Sequence, residues 1–451
     1  MMRLSKTSFI EEFLVFLFVL SFAAPYIRVG PDGVVWPREY LQNPVGLPRI
    51  IEILLLLVLL GQLVYGRITI KNIMKIFHKD SVFRLMLLIS LYVLIFQPYI
   101  RIFFPIDAPA GKGVVRTSII FPLIAYIVGY YVYTNRRNIN LIFVALILSG
   151  LLETSAMINP RWYPEFLLFG YTGRYSLGLP TGMVEALRAS GFWDRSTQAA
   201  TFMAILICLQ IAIILHSKNK IIRIASFFIT AIFIVGLMKA FQRIQFIAVL
   251  LLIISLTFGN FSIASSYSRK RNIVISLTII GIFAVIATWY LLYSLELQLI
   301  YILDWFTSKN YRLTTVWPAY INFIFGEPSV LLFGARFGCD ALDEYGKPMR
   351  MAHAHNQFLG WIAGIGLPMT IFFIYLFFKI YKRAKACESS VFLNNHERMV
   401  ASFCIMMLFV ISVISLAESP LLQEPITILV FFTAGLVSSL RKMDIIRKKV
   451  P

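Results

Sequence analysis

In the stretch MAHAHNQFLGWIAGIGLPM, residues 351–369, two histidines and an asparagine stand at the mouth of a long apolar run. Imidazole is the side chain that takes up and releases protons near neutral pH, so His353 and His355 are candidates for acid–base work. The other three histidines, His78, His216 and His396, fall in or beside segments that read as facing the opposite side of a membrane. Asn356 is suited to orient a substrate or to cap the helix that follows it. Gly360 and Gly364 form a GxxxG pair, whose small side chains favour close helix packing over substrate contact.

A second set of residues is cationic. KAFQRIQF places Arg243 in a tight turn between apolar runs, the long segment NYRLTTVWPAYINFIFGEPSVLLFGARFG carries Arg312 and Arg336, and ALRASGFWDRST carries Arg188 and Arg195. Guanidinium groups meet phosphate or pyrophosphate oxygens two at a time, so several arginines on one membrane face suit an oxyanion ligand. A lone arginine at such a position can also simply snorkel into lipid headgroups. Metal chemistry finds no motif: there is no HExxH and no cysteine pair, and CDALDEYG lacks the spacing of an EF-loop. Of the four cysteines only Cys339 falls on the histidine side, so no disulfide framework is expected.

The elements that must hold these residues are membrane helices. The chain of 451 residues is 59% hydrophobic and 14% charged, with a mean hydropathy of +0.78; soluble domains are about 45–50% apolar and about 25% charged. The fold class expected is an all-α polytopic membrane protein, one domain over residues 1–451 with no internal repeat or linker. Spans need roughly 20 apolar residues each, and the sequence supplies about twelve of them, centred near residues 18, 58, 90, 126, 148, 206, 231, 252, 283, 368, 409 and 432. The first resembles a secretory signal, but Glu11 and Glu12 interrupt its basic start, so an uncleaved helix is expected.

If the N-terminus is cytoplasmic, that side carries 25 of the 42 Lys and Arg and about 6 of the 22 Asp and Glu, in short loops where positive charge sets orientation. Both termini are then cytoplasmic. The net charge of +20 follows from basic loops beside an anionic leaflet and calls for no nucleic acid. On the other side lie the longer segments 28–49, 101–117, 158–195 and 296–356, the last between spans nine and ten. Loops of this length are functional or disordered, and their Trp, Tyr and Phe content points to chains folded onto the membrane face.

HNQFLGWIAGIGLP, the upstream RLTTVW running into LLFGARFG, and the arginine in QRIQF together resemble the O-antigen ligase and polymerase superfamily over roughly residues 185–380. The resemblance implies a GT-C-like membrane glycosyltransferase of the bacterial inner membrane, its active site facing the periplasm. Such enzymes move a glycan from undecaprenyl pyrophosphate to a hydroxyl, without metal ion or cofactor. It further implies His355 as general base, Arg312 and Arg243 as pyrophosphate ligands, and Arg188, Arg336, His353 and Asn356 as substrate-binding residues. WDRST after the GFW turn departs from the asparagine-rich stretch that often follows in the family, which weakens the role of Arg188. The implied partners are the bilayer, the lipid-linked oligosaccharide and a chain-length regulator. The reading favoured is a polymerase acting on lipid-linked repeat units; the alternative is a ligase acting on lipid A-core. A flippase for the same lipid is the rival from another class, and its charges would be expected at the midplane of interrupted, repeated helices.

Overall fold

A computed structural model describes residues 9–23, 50–65, 68–105, 116–132, 136–159, 162, 191–193, 196–240, 242–257, 281, 315–336 and 354–449. The regular structure among them is helical throughout. In chain order the helices are α1 (Phe9–Leu20), α2 (Ile50–Val64), α3 (Ile70–Lys79), α4 (Ser81–Leu91), α5 (Gln97–Phe103), α6 (Phe121–Tyr131), α7 (Arg136–Ile158), α8 (Ser196–His216), α9 (Lys220–Lys239), α10 (Arg243–Thr257), α11 (Trp317–Gly326), α12 (Pro328–Phe333), α13 (Gln357–Glu388), α14 (Asn395–Ile414) and α15 (Glu424–Lys449).

Among the described residues seven helical stretches are long and apolar enough to cross a membrane: Ser81–Phe103, Asn138–Ile158, Ser196–His216, Lys220–Lys239, Gln357–Glu388, Asn395–Ile414 and Glu424–Lys448. The first joins α4 and α5 through a π-helical turn at Tyr92–Phe96. Three shorter apolar helices cover Ile50–Val64, Ser118–Tyr131 and Arg243–Leu256. The span expected near residue 283 lies outside the described residues.

α8 forms the axis of the bundle and is buried from Gln198 to His216, packed by α7, α9, α10 and α14. Interhelical bonds give the direction of each neighbour. His216 Nε2 lies 2.7 Å from Ser402 Oγ, so the end of α8 meets the start of α14. Gln245 Nε2 donates to Thr201 Oγ1 at 3.2 Å, so α10 starts where α8 starts. The bundle therefore has two distinct ends.

At the far end, Arg383 donates to both oxygens of Asp80 at 2.8 and 2.9 Å and to Ser438 Oγ at 2.7 Å. Tyr126 donates its hydroxyl to Asp80 Oδ2 at 2.8 Å. Asp80 is itself the N-cap of α4, accepting from Val82 N and Phe83 N, so one carboxylate fastens α4, α6 and α13, and Arg383 carries the link on to α15 through Ser438. α6 and α15 cross with their backbones touching: a Cβ on Gly129 would overlap Phe432 O, and one on Gly435 would overlap Tyr126 O. Where lipid offers no hydrophobic drive between helices, small residues at crossings and polar bonds of this kind do the holding.

Candidate functional site

The near end holds the histidine selected from the sequence. α13 starts at Gln357 because Asn356, with extended φ −154°, caps it: its side-chain oxygen accepts from Phe358 N at 3.0 Å and Leu359 N at 3.1 Å. That capping role was one of the two foreseen for Asn356. Its amide also donates to Leu416 O at 3.0 Å. Gln357 N donates to Ser415 O at 2.9 Å, and Gln357 Oε1 accepts from Leu421 N at 2.9 Å. The mouth of α13 is thus stitched to the connection between α14 and α15.

His355 sits inside this stitching with φ 47°, the only non-glycine residue at positive φ among those described. A bulky side chain in that region costs about 1–3 kcal/mol and persists only where the surroundings enforce it. Here the imidazole Nδ1 lies 3.1 Å from Glu418 Oε2, with 20% of the histidine side chain and 6% of the glutamate side chain exposed. Glu418 arrives from the short connection SLAESP and was not singled out in the sequence. The signal available was a carboxylate between two spans on the face of the histidine.

A second feature is the segment 317–336, which was expected to lie over the membrane surface. α11 begins beside the histidine, with Trp317 Nε1 donating to Ala354 O at 3.0 Å. α12 then runs down the flank of α13, and Ala335 N donates to Ala363 O at 2.7 Å. Eight residues separate His355 from Ala363, roughly 12 Å along a helix. The turn Gly334–Arg336 therefore reaches well below the mouth, as a re-entrant segment. Irregular backbone at membrane depth must have its polar groups satisfied by protein, and the π-turn and the start of α5 do this: Tyr92 donates its hydroxyl to Phe333 O at 2.7 Å, and Gln97 Nε2 donates to Phe333 O at 3.1 Å and to Gly364 O. Gly334 (φ 70°) and Gly366 (φ 82°) interlock there, since a Cβ on the first would strike Gly364 and Ile365 and one on the second would strike Leu332 O. Gly366 also breaks α13 into two segments, ahead of Pro368.

Arg243 is the first residue of α10 and is exposed at the near end, where Gln242 Nε2 bonds Ser196 Oγ at 2.9 Å. Arg336 is exposed and follows the turn at Gly334. Arg188, Arg312 and His353 lie outside the described residues. The turn near Arg188, at Gly191–Trp193, is described. Its anchor is Glu153 of α7, fully buried, which accepts from Phe192 N at 2.9 Å. Trp193, also fully buried, stacks on Phe202 at 5.0 Å between ring centroids. Sequence reasoning passed over Glu153, although a carboxylate inside an apolar run is a functional signal by default.

Compared with known proteins, the chain matches no family model, and no characterised protein matches it significantly. The chemistry of the near end therefore rests on its own residues: one imidazole with a buried carboxylate on Nδ1, and cationic side chains at the same end of the bundle.

Proposed function

We propose that this protein is a membrane glycosyltransferase of the O-antigen ligase and polymerase type. It transfers a glycan from undecaprenyl pyrophosphate to a sugar hydroxyl of another lipid-linked repeat unit, at the periplasmic face of the bacterial inner membrane. The observation that carries the reading is His355, held in a strained backbone conformation at the near end with a carboxylate on Nδ1, at the same end of the bundle as Arg243.

In this reaction the acceptor oxygen attacks the anomeric carbon, the bond from that carbon to the pyrophosphate oxygen breaks, and the hydroxyl proton passes to His355. The products are the lengthened glycan and undecaprenyl pyrophosphate. Charge grows on the leaving pyrophosphate, and fixed guanidinium groups stabilise it most when the bond is nearly broken. Arg243 and Arg312 take that role, with Arg336 and Arg188 as further substrate contacts. A polyprenyl tail stays in the bilayer while its pyrophosphate sits at the interface, which suits arginines at helix ends and a re-entrant segment. The basic residues of the far end, among them Lys220, Arg383 and Arg441, support a cytoplasmic assignment for that end and for both termini.

The test is a gel of surface and lipid-linked glycans from the host lacking this gene, complemented with wild type, His355→Ala or Arg312→Ala. Single repeat units on the final acceptor without a ladder identify a polymerase; long glycan stranded on undecaprenyl identifies a ligase. Wild-type glycans from both variants at normal expression overturn the catalytic reading and put transport in its place.

A further inference from the structure

We propose that Glu418 is the positioning residue of His355: it fixes the imidazole as the Nδ1–H tautomer, so that Nε2 is the nitrogen that takes the acceptor proton. The catalytic half of this rests on the reading of His355 as a base; the pairing does not.

Three observations lead to it. Glu418 Oε2 lies 3.1 Å from Nδ1, and with the carboxylate as acceptor of that bond the proton sits on Nδ1, which leaves the lone pair on Nε2. Next, the pair is not a surface coincidence. Glu418 is 5% exposed, and the chain on either side of it is tied to residues 356 and 357 through Ser415 O, Leu416 O and Leu421 N. Glu418 N itself closes the end of α14 on Ile414 O at 2.9 Å. The carboxylate is therefore delivered by a fixed frame. Finally, the positive φ of His355 is what such a frame has to enforce. A histidine carrying on in helical conformation from α13 would send its ring elsewhere, so the backbone strain and the carboxylate contact are two parts of one arrangement.

The consequence resembles the division of labour in hydrolase triads, where an acid that never touches substrate holds the base in one tautomer and stabilises its cation. When His355 takes the acceptor proton, the positive ring lies against an anionic partner. Glu418→Gln keeps the shape and removes the charge, and is expected to lower turnover roughly 100-fold or more with KM little changed. Glu418→Asp restores part of the rate. A role confined to folding would instead lower expression and leave turnover per molecule intact.

The experiment has two independent readouts. Purified protein labelled with ¹⁵N-histidine in lipid nanodiscs reports the His355 tautomer, assigned by the signal missing in His355→Gln. The expected result is Nδ1–H in the wild type and loss of that single tautomer in Glu418→Leu. An Nε2–H tautomer in the wild type, or a spectrum unchanged in Glu418→Leu, overturns the pairing. The glycan ladder of the complemented host then reads function for Glu418→Gln and Glu418→Asp. A ladder lost in Glu418→Gln and partly regained in Glu418→Asp supports the positioning role. A ladder lost in His355→Ala but normal in Glu418→Gln overturns the catalytic role of Glu418 alone, whereas ladders unaffected by His355→Ala remove the glycosyltransferase reading and leave the tautomer result standing.

Discussion

His355 and the asparagine that follows it separate chemistry from scaffolding. Removing the base by His355→Ala is expected to slow transfer about 10²–10⁴-fold, the usual contribution of a positioned proton acceptor, with the protein still folded; lipid-linked donor turnover per molecule of detergent-extracted enzyme measures it. Asn356→Ala is expected to act mainly on stability. It deletes the cap of α13 and the bond to Leu416 O, which together should lower the free energy of unfolding by about 1 kcal/mol, read as a drop in Tm. The histidine and its capping asparagine were legible in the sequence because polar residues interrupting an apolar run have few structural reasons to be there. Glu418 was not, because its partner lies 63 positions away and a single acid in a connection reads as solvated. Only the packing of α13 against α14 makes it an inward-facing group.

At the scale of elements, the glycines distinguish an apparent motif from a working contact. Gly360 begins the GxxxG pair, yet a Cβ there meets nothing closer than Ala354 at 4.0 Å. Gly360→Ala should be neutral, or stabilising by up to about 1 kcal/mol through helix propensity. Gly334→Ala should destabilise by more than about 1 kcal/mol, because alanine must adopt φ 70° and strike the backbone of α13. Comparing the two midpoints in thermal unfolding checks the assignment, and equal midpoints would remove it. Gln97→Leu strips the amide from Phe333 O and Gly364 O and should lower stability by about 1–3 kcal/mol. None of this was legible beforehand. Positive φ at Gly334 and Gly366 answers to backbones meeting at depth, and residues 317–336 are apolar enough to read either as a surface loop or as a re-entrant pair.

For the molecule as a whole, the two ends make opposite predictions. At the far end, Asp80→Asn leaves the Arg383 guanidinium among Tyr126 and Ser438 without its charge partner, a loss of about 3–5 kcal/mol for a buried pair; the double variant Asp80→Asn with Arg383→Met should recover part of it in a double-mutant cycle. The topology is checked with single cysteines in a Cys339→Ser background, since Cys208, Cys387 and Cys404 are buried. Leu416→Cys at the near end should react with a membrane-impermeant maleimide in intact cells, and Val391→Cys at the far end only after permeabilisation; the reverse pattern would invert the protein. Hydropathy located the apolar runs well, since length and composition are what a bilayer requires. It could not tell which helix is central, because lipid-facing and protein-facing surfaces are equally apolar in a membrane. α8, enclosed over all but its first two residues, and α9, with only a third of its span buried, read alike.

The enclosure of α8 also orders the birth of the protein. Its upstream neighbour α7 and its immediate followers α9 and α10 emerge close to it during synthesis, but α14 is made almost two hundred residues later. Until then the flank of the axis that α14 covers, including His216, whose partner Ser402 lies on α14, is without that neighbour. A nascent chain halted between α13 and α14 therefore leaves one flank of its central helix uncovered. The near end gains its Glu418 in the same late step, so the histidine acquires its partner only when the core has closed.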